Sequence, residues 1–115
     1  MHEVAIVQQL VELVAERSGG ARVRRVVLEI GKLTAVLPDA VRFCFDVVAE
    51  DTVLAGAQLE ILETPGLARC LACDARLTLE RPFGRCGCGG TELVWLAGDE
   101  LRIREMELAP QGGDR

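Results

Sequence analysis

The chain has 115 residues, room for one ordinary domain or two very small ones. Half of them are apolar and 27% are charged, a globular composition that excludes disordered and fibrous classes. Thirteen basic residues against eighteen acidic ones leave a net charge of −5, which argues against a phosphate backbone as the main partner. The longest apolar runs, such as Val4–Val7, fall far short of the roughly 20 residues a membrane helix needs. Met1-His2-Glu3 lacks the basic and apolar regions of a signal peptide, so the expected compartment is the cytoplasm.

Taken in order, the first element is a helix from Glu3 to about Ser18. Val7, Leu10, Val11 and Val14 recur at helical spacing and make one apolar stripe, and Gly19-Gly20 ends the run. Next, Val26, Leu28 and Ile30 alternate with Arg25, Val27 and Glu29, the period of a half-buried strand that Gly31 ends. Pro38-Asp39 opens a second helix, expected to reach about Glu50, with Val41, Cys44, Phe45 and Val48 on its apolar stripe. A second strand is expected over Gln58–Glu63 and a third over Glu100–Leu108, with a break at Pro65-Gly66 between them and a loose tail over 111–115. The order predicts an α+β fold: a three-stranded sheet covered by two helices, built from 1–66 plus 97–110, with a small module, 67–96, inserted before the last strand.

That module is too short to build its own core and needs a staple. Four of the five cysteines supply it, as Cys70-x2-Cys73 and, after twelve intervening residues, Cys86-x-Cys88. Two close pairs joined by a short excursion (Arg76–Glu80) resemble a zinc ribbon, because tetrahedral zinc takes four thiolates and each knuckle delivers two. Asp74 and Gly89 follow the knuckles, where a left-handed residue is often required. The one-residue second knuckle should remove some amide donors to sulfur. Four free thiols, or iron in a rubredoxin-like site, are the alternatives. The fifth cysteine, Cys44, sits on a helical stripe and reads as a small buried hydrophobe.

His2 is the chain's one histidine. A histidine near a terminus is ordinarily a mobile side chain. At position two, however, an α-amine, an amide nitrogen and an imidazole can chelate one ion, a nitrogen-rich set suited to Ni(II) or Cu(II). Glu3 offers a further donor, through its amide or its carboxylate.

Met1-His2-Glu3 followed at once by an amphipathic helix resembles the start of the HypA/HybF family of hydrogenase nickel-incorporation proteins. So do the strand ending Ile30-Gly31, Cys70-Leu-Ala-Cys73, the second cysteine pair and Gly98-Asp-Glu-Leu-Arg, and the resemblance extends to about Leu108. The family's second knuckle is normally Cys-x-x-Cys, so Cys86-Gly-Cys88 departs from it. Asp39 lies near an acidic position that supports nickel in some members, without clearly matching it. The resemblance implies a nickel metallochaperone rather than an enzyme. The Met1 amine and His2 would be the principal nickel ligands, with Glu3 assisting, and Cys70, Cys73, Cys86 and Cys88 would hold structural Zn(II). Ni(II) would be transient cargo for the precursor of a [NiFe]-hydrogenase large subunit. The implied partners are a HypB-type GTPase and, for some relatives, urease maturation factors, with neither nucleic acid nor membrane. The 1–66 plus 97–110 part would be the nickel-binding domain. A zinc-ribbon transcription module and a rubredoxin-like electron carrier remain as other classes.

Overall fold

The structure, a computed structural model, describes residues 2–110, with His2 described by its backbone alone. Met1 and the tail expected over 111–115 lie outside the described residues. The elements are α1 (His2–Ser18), β1 (Val23–Gly31), a 3-10 turn (Lys32–Thr34), α2 (Pro38–Val48), β2 (Gln58–Thr64), β3 (Gly66–Cys70), β4 (Arg76–Leu79), β5 (Leu93–Ala97) and β6 (Leu101–Leu108). They form two three-stranded sheets, ordered β2-β1-β6 and β4-β3-β5. The fold is α+β, two helices with small sheets, and the three strands expected for the first sheet are the ones that form it.

The described residues divide into two compact units, one of residues 2–28, 37–61 and 103–110, the other of 29–36 and 62–102. In the first, the stripe of α1 is buried as the periodicity predicts: Val7, Leu10, Val11 and Val14 share the interior with Val26, Leu28, Val41, Phe45 and Leu54. Pro38 begins α2 without needing the hydrogen bond its nitrogen cannot make, and Asp39 sits in the positive first turn. Cys44 departs from expectation. Val41 and Phe45 are buried, but Cys44 is only half-buried, because the apolar arc of α2 is wider than the surface it packs against. Phe43 and Val47 extend that arc into solvent.

The middle strand, β1, is not half-buried as its alternation suggests. From Val26 to Gly31 every residue is buried, on both faces. A middle strand has neighbours on both edges, and here long charged side chains also cross its outer face. Arg25 reaches Glu60 on β2 at 2.9 Å, and Glu105 and Glu107 on β6 at 2.7 and 3.1 Å. The hydrogen bond from Arg25 and the charge of Arg24 hold the Glu107 carboxyl below its ordinary range.

The second unit has a smaller interior, Leu33, Ala68 and Leu79, with Leu77 and Leu93 packed against it. Its sheet is antiparallel: Leu67 pairs with Thr78 and Arg69 with Arg76 on one side of β3, and Ala68 pairs with Trp95 on the other. At the end of β1, the Gly31 N–H donates to the Glu100 carbonyl and the Leu33 N–H to the Gly98 carbonyl, both at 2.8 Å. The backbones pass so close that a Cβ on Gly31 would collide with the Gly98 carbonyl. Gly98 itself has φ of +91°. A glycine is required at both places.

Candidate metal centre

Cys70 ends β3 and Cys73 completes the turn after it, while Cys86 and Cys88 flank Gly87 in the turn before β5. Each knuckle is closed by its own backbone. The Asp74 N–H donates to the Cys70 carbonyl and the Gly89 N–H to the Cys86 carbonyl, each at 2.8 Å. Both following residues are left-handed as expected, Asp74 at φ +67° and Gly89 at +95°. Asp74 is tied further by Arg69 at 2.8 Å. The Cys70 N–H donates to the Ala75 carbonyl, and the Leu71 N–H to the Glu92 carbonyl, fastening the first knuckle to the chain entering β5.

These turns bring four sulfurs together. All lie within 4.8 Å of one another, and two pairs close across the knuckles: Cys70 to Cys88 at 3.7 Å and Cys73 to Cys86 at 3.6 Å. A tetrahedron with Zn–S arms of 2.3 Å has edges of about 3.8 Å, so the spacing is that of four thiolates around one ion. The one-residue knuckle therefore does not keep Cys88 from the cluster. Cys70 and Cys86 are buried and Cys73 and Cys88 exposed, so one side of the cluster faces solvent.

The metal-free thiols differ in acidity. Amides of Cys73 and Ala72, with the neighbouring thiols, bring Cys70 down to about 7. For Cys73, the Ala75 amide pulls down but the thiols of Cys86 and Cys88 and burial outweigh it, and the group is pushed up to about 12. Four crowded sulfurs cannot all ionise without a cation between them, and a divalent ion removes that penalty. In the second knuckle the Gly90 N–H points at the Cys88 sulfur at 3.4 Å.

Gly90 is a site residue that the spacing of cysteines does not reveal. A Cβ there would stand 2.9 Å from the Cys70 sulfur and 3.1 Å from the Ala72 Cβ. The only sequence signal is the doubled glycine after Cys88. Gly90→Ala is expected to push a sulfur off its position and lower zinc affinity about tenfold, the scale seen when groups supporting a ligand are disturbed. Competition with a chromophoric chelator measures this. Affinity equal to the parent's would show that the cluster yields at no cost.

Of the other residues singled out, Glu3 lies in the first turn of α1 with its side chain buried, on the face that carries Val7 and Leu10. The Met1 amine and the His2 side chain lie outside the described residues. Asp39 is fully exposed and pairs with Arg42 at 3.7 Å. A cleft of about 490 Å³, lined by Glu29, Gly98, Asp99, Glu100 and Arg102 among others, shares no residue with the cysteine cluster. No helix among the described residues is long and apolar enough to cross a membrane.

A four-thiolate ribbon joined to a small helix-and-strand unit defines a metal-handling protein of α+β class. Residues 1–108 match the family described as "Hydrogenase/urease nickel incorporation, metallochaperone, hypA". The chain is 56% identical over 108 residues to the Hydrogenase maturation factor HypA of Trichormus variabilis, covering 94% of this chain and 96% of that one. It is 44% identical over 109 residues to the protein of the same name in Geotalea uraniireducens, covering 94% and 99%. The solution structure of the Ni metallochaperone HypA from Helicobacter pylori matches with a TM-score of 0.64, covering 94% of this chain and 97% of that one, at 24% identity, a likeness of fold. The chain belongs to the HypA family of hydrogenase/urease nickel-incorporation metallochaperones, which are not enzymes.

Proposed function

We propose that this chain takes up Ni(II) at its first residues, through the Met1 amine and His2 with Glu3 assisting, and helps insert it into a [NiFe]-hydrogenase large subunit. Zinc on Cys70, Cys73, Cys86 and Cys88 is structural. A HypB-type GTPase and the large-subunit precursor are the partners, and the cytoplasm is the compartment. Urease maturation factors are a second set of partners in the family's wider range. The relatives' names, Hydrogenase maturation factor, favour hydrogenase as the client.

The observation that carries the nickel assignment is the start of α1 at His2, with Glu3 anchored in its first turn. An anchored third residue gives the preceding backbone a fixed origin. An amine, an amide and an imidazole then need only close on one ion, which lowers the ordering cost of binding. The cysteine ribbon serves a different end: its soft, preformed donor set suits zinc and needs no exchange.

The test uses a strain lacking its own HypA-type protein. The parent chain is expected to restore nickel in the hydrogenase large subunit, and His2→Ala to restore less than a tenth as much. Equal restoration by both would remove His2 from the cargo site. Restoration by neither would overturn the hydrogenase assignment.

A further inference from the structure

The segment from Glu80 to Arg85, between β4 and the second knuckle, is used by neither metal. Its backbone has no regular structure, yet it is held in place. Leu79 before it is buried, Cys86 after it is buried, and Gly84 lies so close to Leu79 that a Cβ would stand 2.7 Å from Leu79 Cδ2. Pinned at three points, it turns Arg81, Phe83 and Arg85 outward, with Phe83 72% exposed.

A single exposed aromatic is ordinary. What distinguishes this one is the charge around it. Of the three acidic residues near it in sequence, Glu80 pairs with Lys32 at 2.5 Å and Asp74 with Arg69 at 2.8 Å, and Glu92 lies beyond the second knuckle. Arg81 and Arg85, and the exposed Arg76 on β4, have no ion pair among the described residues. In a chain with a net charge of −5, this segment thus carries two exposed arginines, one on either side of Phe83 in sequence, that no carboxylate among the described residues neutralises by an ion pair. Guanidinium groups bind carboxylates in forked pairs, and a ring between them offers an apolar contact.

We propose that Arg81, Phe83 and Arg85 form a docking surface for an acidic segment of a partner protein, carboxylates pairing with the arginines and an apolar residue covering Phe83. The acidic remainder of the chain repels a long polyanion, whereas a short acidic peptide meets only the cationic segment. Because the segment is already held, little conformational freedom is lost on docking. The surface goes beyond nickel carriage and depends on neither nickel ligand.

The experiment uses the zinc-loaded protein and a fluorescein-labelled peptide alternating Glu and Leu, read by anisotropy. Oligothymidylate is a second probe, and sedimentation gives the mass. The peptide is expected to bind, and to bind more weakly as salt rises from about 50 to 200 mM. Arg81→Glu/Arg85→Glu is expected to weaken it about tenfold. Phe83→Ala is expected to weaken it several-fold with an unchanged salt slope, and both variants are expected to keep parental zinc content. Peptide affinity unchanged in the double variant would overturn the proposal. So would tighter binding of oligothymidylate than of the peptide, or a dimer that the double variant abolishes, which would give the surface to a second copy of the chain.

Discussion

Removing zinc is expected to unfold the knuckles while α1 and α2 persist. The interior of the second unit is Leu33, Ala68 and Leu79 with two partners, a small apolar mass to order so many turn residues. Structural zinc in small domains supplies about 10–16 kcal/mol of apparent binding free energy, more than such an interior can. Cys70→Ser or Cys73→Ser should therefore release the zinc and change the emission of Trp95, the chain's one tryptophan, on β5. Far-ultraviolet dichroism should keep most of its helical signal, because the helices are buried through their own stripes. Cys86→Ser and Cys88→Ser should do the same. Full zinc affinity in Cys88→Ser would show that the one-residue knuckle supplies one ligand, Cys86, and that three cysteines hold the ion rather than four.

The second large effect concerns nickel. The proposed chelate uses an α-amine, so extra residues ahead of Met1 should abolish tight binding. It uses an imidazole, so His2→Ala should lower affinity at least a hundredfold. Zinc content should stay at its parental value in both, since neither change touches a cysteine. The amine and imidazole must lose their protons first, and their reference pKa values are about 8 and 6.5. Affinity should therefore fall as pH drops from about 8 to 6, with protons released on binding. Calorimetric titration of protein starting at Met1, an extended form and His2→Ala makes the comparison, and equal affinities in all three would place nickel elsewhere. Glu3 adds a finer distinction. Its side chain is buried in the first turn of α1, so Glu3→Gln tests anchoring through stability and coordination through affinity.

Legibility in the sequence followed the physics of each element. The stripe of α1 was readable because a helix buries one face, and Val7, Leu10, Val11 and Val14 recur at its period. The burial of β1 was not, because alternation describes one strand and says nothing of what crosses its other face. Strands β3 and β5 were missed for a related reason. Gly66–Cys70 contains few β-formers, and its strand exists through pairing with β4 and β5. Leu93–Ala97 is an unbroken apolar run, which fits no half-buried template, and four of its five residues are exposed. The cysteines were legible because coordination chemistry fixes their spacing, and Asp74 and Gly89 because a tight knuckle needs a left-handed exit. Gly90 escaped, since its importance is a matter of clearance from a sulfur. Cys44 misled because helical phase locates a direction and not how far the neighbouring surface extends.

The approach of Gly31 to Gly98 has an evolutionary consequence. In an ordinary packed pair, a side chain that grows on one element can be accommodated by one that shrinks on the other. Here both partners are already glycine, and the obstacle to a Cβ on Gly31 is a main-chain carbonyl. No second substitution can make room, because a carbonyl cannot be trimmed. A Cβ on Gly98 fares no better, since it would run into the Pro65 carbonyl at a backbone angle that L-residues rarely adopt. Each position should therefore drift independently of its neighbour and hardly at all: in a large set of related sequences the pair would carry almost no covariation, although the two residues touch.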